Sequence, residues 1–365
     1  MTAPAGQRRA RARPGGKLRV CFAPDYSHAN PYQRLLADAL DAHGCEVALM
    51  DFYRRGLPLT RGTRALASDI LHLHWPDAYF PTSAPLHGLL RKLRFPLDLW
   101  LACRRAPLVV TAHNLLPHSR AGEPLVRLLS RHAYRRADAV IAHGANSERA
   151  VRDQFQLPCA RLHRVPHGDL AVELPPPRPR RTARRALGLP EGAPLCLMFG
   201  AIADYKGIGE AVAYWRRAHP PATLAIIGNP HSAAYGERVA AACSGSDSGI
   251  LYRPGWLDDD ALASWLSAAD CALFNYRRIF VSGAACLARS WGLPALIPRR
   301  LDSLDLDEPD PRVIRFESLA SGFAAALEEA CALGRDYAAA ADWRAATAWP
   351  LVAERTAAVY RASWR

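Results

Sequence analysis

Short apolar runs recur along the whole chain, each followed by a helical pattern, and this alternation limits the fold more than any other feature. In the first half the runs fall at 18–24, 45–50, 69–75, 107–113, 138–144 and 161–168. In the second they fall at 194–200, 222–228, 249–255, 270–276, 294–298 and 312–316. Most are continuously apolar ("PLVVTAH", "ATLAIIG") rather than alternating, as strands are when helices cover both faces of a parallel sheet. Helical periodicity fills gaps such as 31–43, 123–136, 208–218 and 258–268. The βαβα order predicts an α/β protein built of doubly wound sheets.

One stretch interrupts the rhythm. "ELPPPRPRRTARRALGLPEGAP" (173–194) holds three consecutive prolines and a run of arginines, a composition that continues neither sheet. It is read as a linker at 173–193, between Rossmann-like domains at 17–172 and 194–340. A basic tail at 1–16 is expected to be disordered. The last segment, 341–365, reads as helix broken or kinked at Pro350 and is expected to pack back toward the first domain. Two such domains, joined once, would turn their strand carboxyl ends toward a shared cleft, and open α/β sheets bind ligands at those ends.

Composition narrows the partners. The net charge is +13, with arginines and lysines clustered in the tail, at 91–94, 103–105, 131–136 and 178–185. Such an excess attracts nucleic acid, an anionic membrane face or phosphorylated small molecules. No nucleic-acid-reading motif accompanies the clusters, so nucleic acid is set aside for a membrane surface or a phosphate-bearing substrate. Nine cysteines without a C-x-x-C pair fit reduced thiols in a cytosolic protein. No run approaches the ~20 apolar residues that span a bilayer, and the N-terminus lacks the apolar core of a secretory signal. "APLHGLLRKLRFPLDLWLACRRA" (84–106) mixes leucines, Phe95 and Trp100 with basic residues. It reads equally as an interfacial helix or as a core helix with a basic outer face.

Candidate chemistry sits at strand ends. In "FGAIADYKGI" (199–208) a strand ends at Gly200, a loop carries Lys206, and a helix begins near Gly207. Such a lysine can hold a phosphate together with free helix N–H groups; it can also be a plain surface lysine. Ser282 and Gly283 open a helix that ends near Gly292. Glycine there lets a diphosphate approach the backbone, while serine also serves as an ordinary N-cap. "IIGNP", with Gly228 and Asn229, and "PGWLDDDAL" end two further strands whose backbones could contact a nucleotide base; Gly-Asn-Pro is equally a good turn.

In the first half, "LHLHWPDAYF" (71–80) places His72 and His74 on one side of a strand. Metal ligation would need a third ligand that is not evident. Trp75 and Tyr79 offer flat faces for sugar rings, and Asp77 is a candidate general base or a cap of the turn after Pro76. "TAHNLLPH" (111–118) ends in His113, Asn114 and His118, more polar groups than a turn requires. Asn30 ends the first strand in the same way, or caps the helix that begins at Pro31. The acidic run 301–310 lacks the spacing of a calcium loop and reads as a solvated loop.

Together these blocks resemble a known family. "NPYQRLLADAL", "LHLHWPD", "TAHNLLPH", "FGAIADYKGI", "AIIGNP" and "SGAACLARSWGLPALIP" run from about Asn30 to Pro298 in the order of bacterial GT-B glycosyltransferases. Such enzymes have two Rossmann-like domains facing across a cleft. Within that group the chain is most similar to the GDP-mannose:glycolipid β-mannosyltransferases of xanthan-type exopolysaccharide assembly. The resemblance implies a nucleotide sugar, GDP-mannose first, in the second domain. It implies a polyprenyl-diphosphate-linked oligosaccharide acceptor in the first, at the inner face of the plasma membrane. Lys206 then neutralises the donor diphosphate, Ser282 and Gly283 receive the phosphates, and His113 contacts the donor sugar. Gly200, Gly228 and Asn229 complete the expected donor site; Asn30, Trp75, Asn114 and His118 form the expected acceptor site.

The sequence departs from the family in places. Ala203 and Asp204 stand where an arginine is common, and Asp77 is one methylene shorter than the usual glutamate. Retaining relatives carry two glutamates around the diphosphate helix; here those places hold Ile279 and Leu287. The expectation is therefore inverting displacement with Asp77, or His113, as base and no metal or other cofactor. Two alternatives keep the fold: a UDP-sugar donor with a non-lipid acceptor, or an inactive scaffold.

Overall fold

A computed structural model describes residues 16–28, 30–51, 56–80, 85–116, 124–245, 249–301 and 310–364, with backbone only for 85–93. It divides into two compact units: 1–168 with 347–365, and 169–346.

Unit 1 is a six-stranded parallel sheet of β1 (Leu18–Ala23), β2 (Cys45–Leu49), β3 (Ile70–Leu73), β4 (Leu108–Thr111), β5 (Ala139–Ala142) and β6 (Leu162–Arg164). The order is β2-β1-β3-β4-β5-β6. β3, β4 and β5 are buried at every position, which is why they read as unbroken apolar runs. The chain reverses its direction of winding between β1 and β3, so the carboxyl ends of those strands flank a natural ligand crevice. Two helices close this unit. Tyr32–Asp41 starts where Asn30 Oδ1 accepts from Tyr32 N at 3.0 Å. Trp349–Trp364 packs on it and bonds β3 through Tyr360 Oη and His72 Nδ1, 2.6 Å apart. Asp98, buried on the helix Pro85–Cys103, accepts from Leu59 N and Thr60 N and so ties that helix to the start of Pro58–Ala65.

Unit 2 holds β7 (Leu195–Phe199), β8 (Thr223–Gly228), β9 (Ile250–Pro254), β10 (Cys271–Leu273), β11 (Ala295–Pro298) and β12 (Val313–Phe316). All are parallel, in the order β12-β11-β10-β7-β8-β9. Counted from β7, this is the 3-2-1-4-5-6 order of dinucleotide-binding sheets, and its crevice lies between β7 and β10.

Three boundaries differ from expectation. The stretch 173–193 is not a free linker; it belongs to unit 2 and contains the helix Arg180–Ala186. Arg184 there is fully buried, yet its donors reach Asp270 Oδ2 and the carbonyls of Ala268, Pro190 and Ala193. An arginine with its planar fork satisfied can enter a core, so composition alone misjudged this segment. The return to unit 1 comes at Thr347, not 341. The helix is interrupted before Pro350, which lies in the first turn of Trp349–Trp364, where its missing N–H costs nothing.

Candidate active site

In unit 1, four neighbouring strands deliver histidines at or just beyond their carboxyl ends: His74 after β3, His113 after β4, His143 after β5 and His167 after β6. Parallel strands lie about 4.8 Å apart. The rings follow that spacing, with centroids 5.5 Å apart for His74–His113, 5.2 Å for His113–His143 and 5.0 Å for His143–His167. His74 Nδ1 meets His113 Nε2 at 3.2 Å, and His113 Nδ1 meets His143 Nε2 at 3.4 Å. His143 Nδ1 donates to Val165 O at 3.0 Å. Tyr32 lies across the row, in ring contact with all four. Below it His72, bonded to Tyr360 and Thr111, stacks 4.1 Å from His74.

All five imidazoles are buried. Loss of water pushes His72 and His143 down to about 3 and His167 to about 4. It holds His74 and His113 well below the usual imidazole range, with neighbouring imidazoles adding to the effect. The row is neutral at physiological pH.

Above it opens a small cleft of about 240 Å³, counting the space at its mouth, lined by His74, Trp75, Asp77, Asn114, Ser130 and Tyr134 among others. Trp75 covers His113 with rings 4.5 Å apart and nearly parallel. Tyr134 Oη donates to Asn114 O at 3.0 Å. Three residues nominated by sequence, Trp75, Asp77 and Asn114, thus share one cleft. His118 lies outside the described residues. Asn30 spends its side-chain oxygen on the turn into the first helix. His113 differs from expectation: both nitrogens are engaged inside the row and one face lies against Trp75, which leaves no lone pair for a base.

Unit 2 gathers its candidates at the β7/β10 crevice. Lys206 is buried, and its Nζ donates to Phe199 O at 2.7 Å. Burial pushes its ammonium down to about 8. No carboxylate among the described residues pairs with it. Its Nζ lies 5.6 Å from the centre of the Tyr276 ring, and Tyr276 Oη lies 3.2 Å from Ser282 Oγ. Ser282 in turn accepts from Ala285 N as cap of the helix Gly283–Ser290. Lys206 and Ser282 are therefore joined through Tyr276. The backbone here admits only glycine in two places. A Cβ at Gly207, whose φ is +65°, would lie 2.2 Å from Asn275 O. One at Gly228, φ +132°, would lie 2.0 Å from Gly200 O. Asn229 contributes its carbonyl, accepting from Ile202 N.

The chain is similar to known proteins. Residues 15–168 match the family described as Glycosyltransferase Family 4. Over 82% of this chain and 78% of the relative, the sequence is 28% identical to the GDP-mannose:glycolipid 4-beta-D-mannosyltransferase of Xanthomonas campestris pv. campestris. Sucrose-phosphate synthase of Thermosynechococcus elongatus superposes with a TM-score of 0.71 at 16% identity, over 95% of this chain and 98% of that one. Anabaena Alr3699/HepE, solved with UDP and glucose, superposes with a TM-score of 0.63 at 13% identity, over 95% of each chain. The chain has the GT-B fold, and its first unit carries the glycosyltransferase family match.

Several residues of these two strand-end clusters escaped sequence reasoning. His143 and His167 carry a signal, a histidine directly or closely after an apolar run, but each is unremarkable until β5 and β6 are seen beside β4. Asn275 and Tyr276 follow β10; Asn275 Nδ2 donates to Gly207 O and holds the Lys206 loop. Arg277 pairs with Asp204 and Glu210 beside that loop, and Arg300 donates to Asn275 Oδ1 and Tyr276 O. Arg300 adds a guanidinium with neutral partners at this edge, whereas the charge of Arg277 is offset by its two carboxylates.

Proposed function

We propose that this glycosyltransferase moves mannose from GDP-mannose to a saccharide carried on a lipid diphosphate, with inversion at the anomeric carbon. The observation that carries the donor half is Lys206, a buried ammonium with one carbonyl partner and no counter-ion among the described residues. A buried charge without a partner is costly, and an arriving phosphate removes that cost. The amides at the start of Gly283–Ser290 lie on the same crevice, so lysine and helix end together stabilise a departing diphosphate without a metal. GDP-mannose is favoured by the named activity of the Xanthomonas relative.

Unit 1 supplies the acceptor side. Asp77 is the carboxylate of the cleft and takes the proton of the attacking hydroxyl. Ile279 and Leu287, where retaining relatives carry glutamates, favour single displacement. A membrane-bound acceptor also accounts for the outer face of unit 1. Leu97 and Trp100 lie one helical turn apart and exposed, with Arg104 over the Trp100 ring, and exposed Leu128 belongs to the packed helix Pro124–Arg136. This surface holds the enzyme to anionic lipid at the cytoplasmic face.

The test is thermal stabilisation by GDP-mannose, GDP, UDP-glucose and UDP. A clear preference for the guanine pair supports the reading, and preference for the uracil pair replaces the donor. No stabilisation by any of the four points to an inactive scaffold. Activity that survives EDTA and protein that co-sediments with anionic vesicles at low salt are the companion results.

A further inference from the structure

The hydrogen bonds of the histidine row run in one direction only. A carbonyl oxygen can only accept, so His143 carries its proton on Nδ1, toward Val165 O. A neutral imidazole has one proton, so His143 Nε2 is a lone pair and must accept. His113 Nδ1 is then the donor across 3.4 Å, and His113 Nε2 becomes an acceptor. His74 Nδ1 donates to it across 3.2 Å. One backbone carbonyl just beyond β6 thereby sets the tautomer of a residue three strands away.

The row ends at His74 Nε2, which is left as a lone pair. That atom is buried and has no hydrogen-bond partner. His74 is one of the residues that line the cleft, with Asp77 and Asn114. A buried acceptor without a donor is costly, and aligned N–H···N bonds behind it strengthen its accepting power.

The geometry points to His74 Nε2 as the hydrogen-bond acceptor for a hydroxyl group of the saccharide bound in the unit 1 cleft. His113 and His143 act as positioning residues that hold its tautomer. This rests on the reading of unit 1 as the acceptor side. The division of labour follows from burial: a neutral imidazole orients the hydroxyl and takes no proton, and the carboxylate of Asp77 does.

The experiment uses the full chain labelled with ¹⁵N-histidine, titrated with octyl β-D-glucoside below its micelle concentration. The expected spectrum at pH 7 has His74, His113 and His143 protonated on Nδ1, with the bare His74 Nε2 resonance shifting upfield as the glucoside saturates. His74→Asn keeps a donor near Nδ1 and loses the acceptor, so it should bind the glucoside about 10-fold more weakly. His74→Gln keeps an acceptor near Nε2 and should stay within about three-fold of the wild type. A proton on His74 Nε2 overturns the inference, as does saturation that leaves its resonance unmoved or wild-type binding by His74→Asn. Absence of saturable binding by the wild-type protein counts against the lipid-saccharide reading as well as this one. Binding without a response at His74 counts against this one alone. The wild-type spectrum decides the tautomers even where a variant fails to fold.

Discussion

Both sheets collect buried polar groups where their strands end, but unit 1 collects imidazoles that burial keeps neutral and unit 2 a single ammonium that stays charged. The difference follows from what each group can share. Neighbouring imidazoles satisfy one another as donor and acceptor, so a row of them can lie in a dry core without charge. An ammonium has three donors and no acceptor, and Lys206 uses one of them on Phe199 O. Unit 1 thus presents lone pairs and oriented hydrogen bonds, and unit 2 a positive charge. The proposed hydroxyl acceptor and diphosphate donor need those opposite chemistries.

The largest expected effect of this contrast is on acid stability. The folded pKa values of the five imidazoles lie below the unfolded value near 6.5, so the unfolded chain binds protons first as pH falls. Stability contributed by the neutral row is whole above pH 6.5 and lost on the way to the folded values, about 3 for His72 and His143 and about 4 for His167. Each refused proton costs about 1.4 kcal/mol per pH unit. Amide exchange between pH 6.5 and 4.5 should therefore lose protection in β3–β6 well before β7 and β10. Equal loss in both units would erase the contrast.

Next in size is Lys206→Met. Removing the ammonium should lower turnover by about 10²–10³-fold while leaving the melting temperature unchanged or higher, because a buried charge has been taken out. Turnover near that of the wild type would remove Lys206 from the reaction. A smaller effect is the pH dependence of donor binding. Lys206 is held down to about 8, so GDP affinity should fall by up to about tenfold per pH unit above that value. The slope should vanish in Lys206→Met; an unchanged slope there would assign the titration to another group. The smallest effect is Tyr276→Phe. It removes the Oη contact with Ser282 and should cost about 0.5–1.5 kcal/mol of unit 2 stability, read by denaturant unfolding, with a few-fold rise in donor KM. A silent variant would mean that the link between Lys206 and Ser282 contributes nothing.

Much of the architecture was legible in the chain. Central strands such as β3, β4, β5 and β7 are buried at every position, and all twelve observed strands fall within the runs nominated from the sequence. Trp75, Asp77 and Asn114 were nominated because strand ends in such sheets carry ligands, and they do share a cleft. Lys206 and Ser282 were nominated for the same reason and are joined through Tyr276. The segment 173–193 was misjudged because prolines and arginines look the same whether solvated or satisfied by carbonyls, and Arg184 is the satisfied kind. His113 was nominated as a base or a contact to the donor sugar, and nothing near it in sequence announces the two imidazoles that meet its nitrogens.

Local periodicity is a property of neighbours along the chain, and it alone determined the strands, their parallel class and the loops where polar residues collect. Which of those loops stand side by side is a property of strand order. His74, His113 and His143 are 39 and 30 residues apart in sequence, and they became one hydrogen-bonded row only because β3, β4 and β5 pair at a spacing that an imidazole ring can bridge. Tertiary structure decided the tautomers, the neutrality of the row and the isolation of the Lys206 ammonium, because each depends on what water has been replaced by.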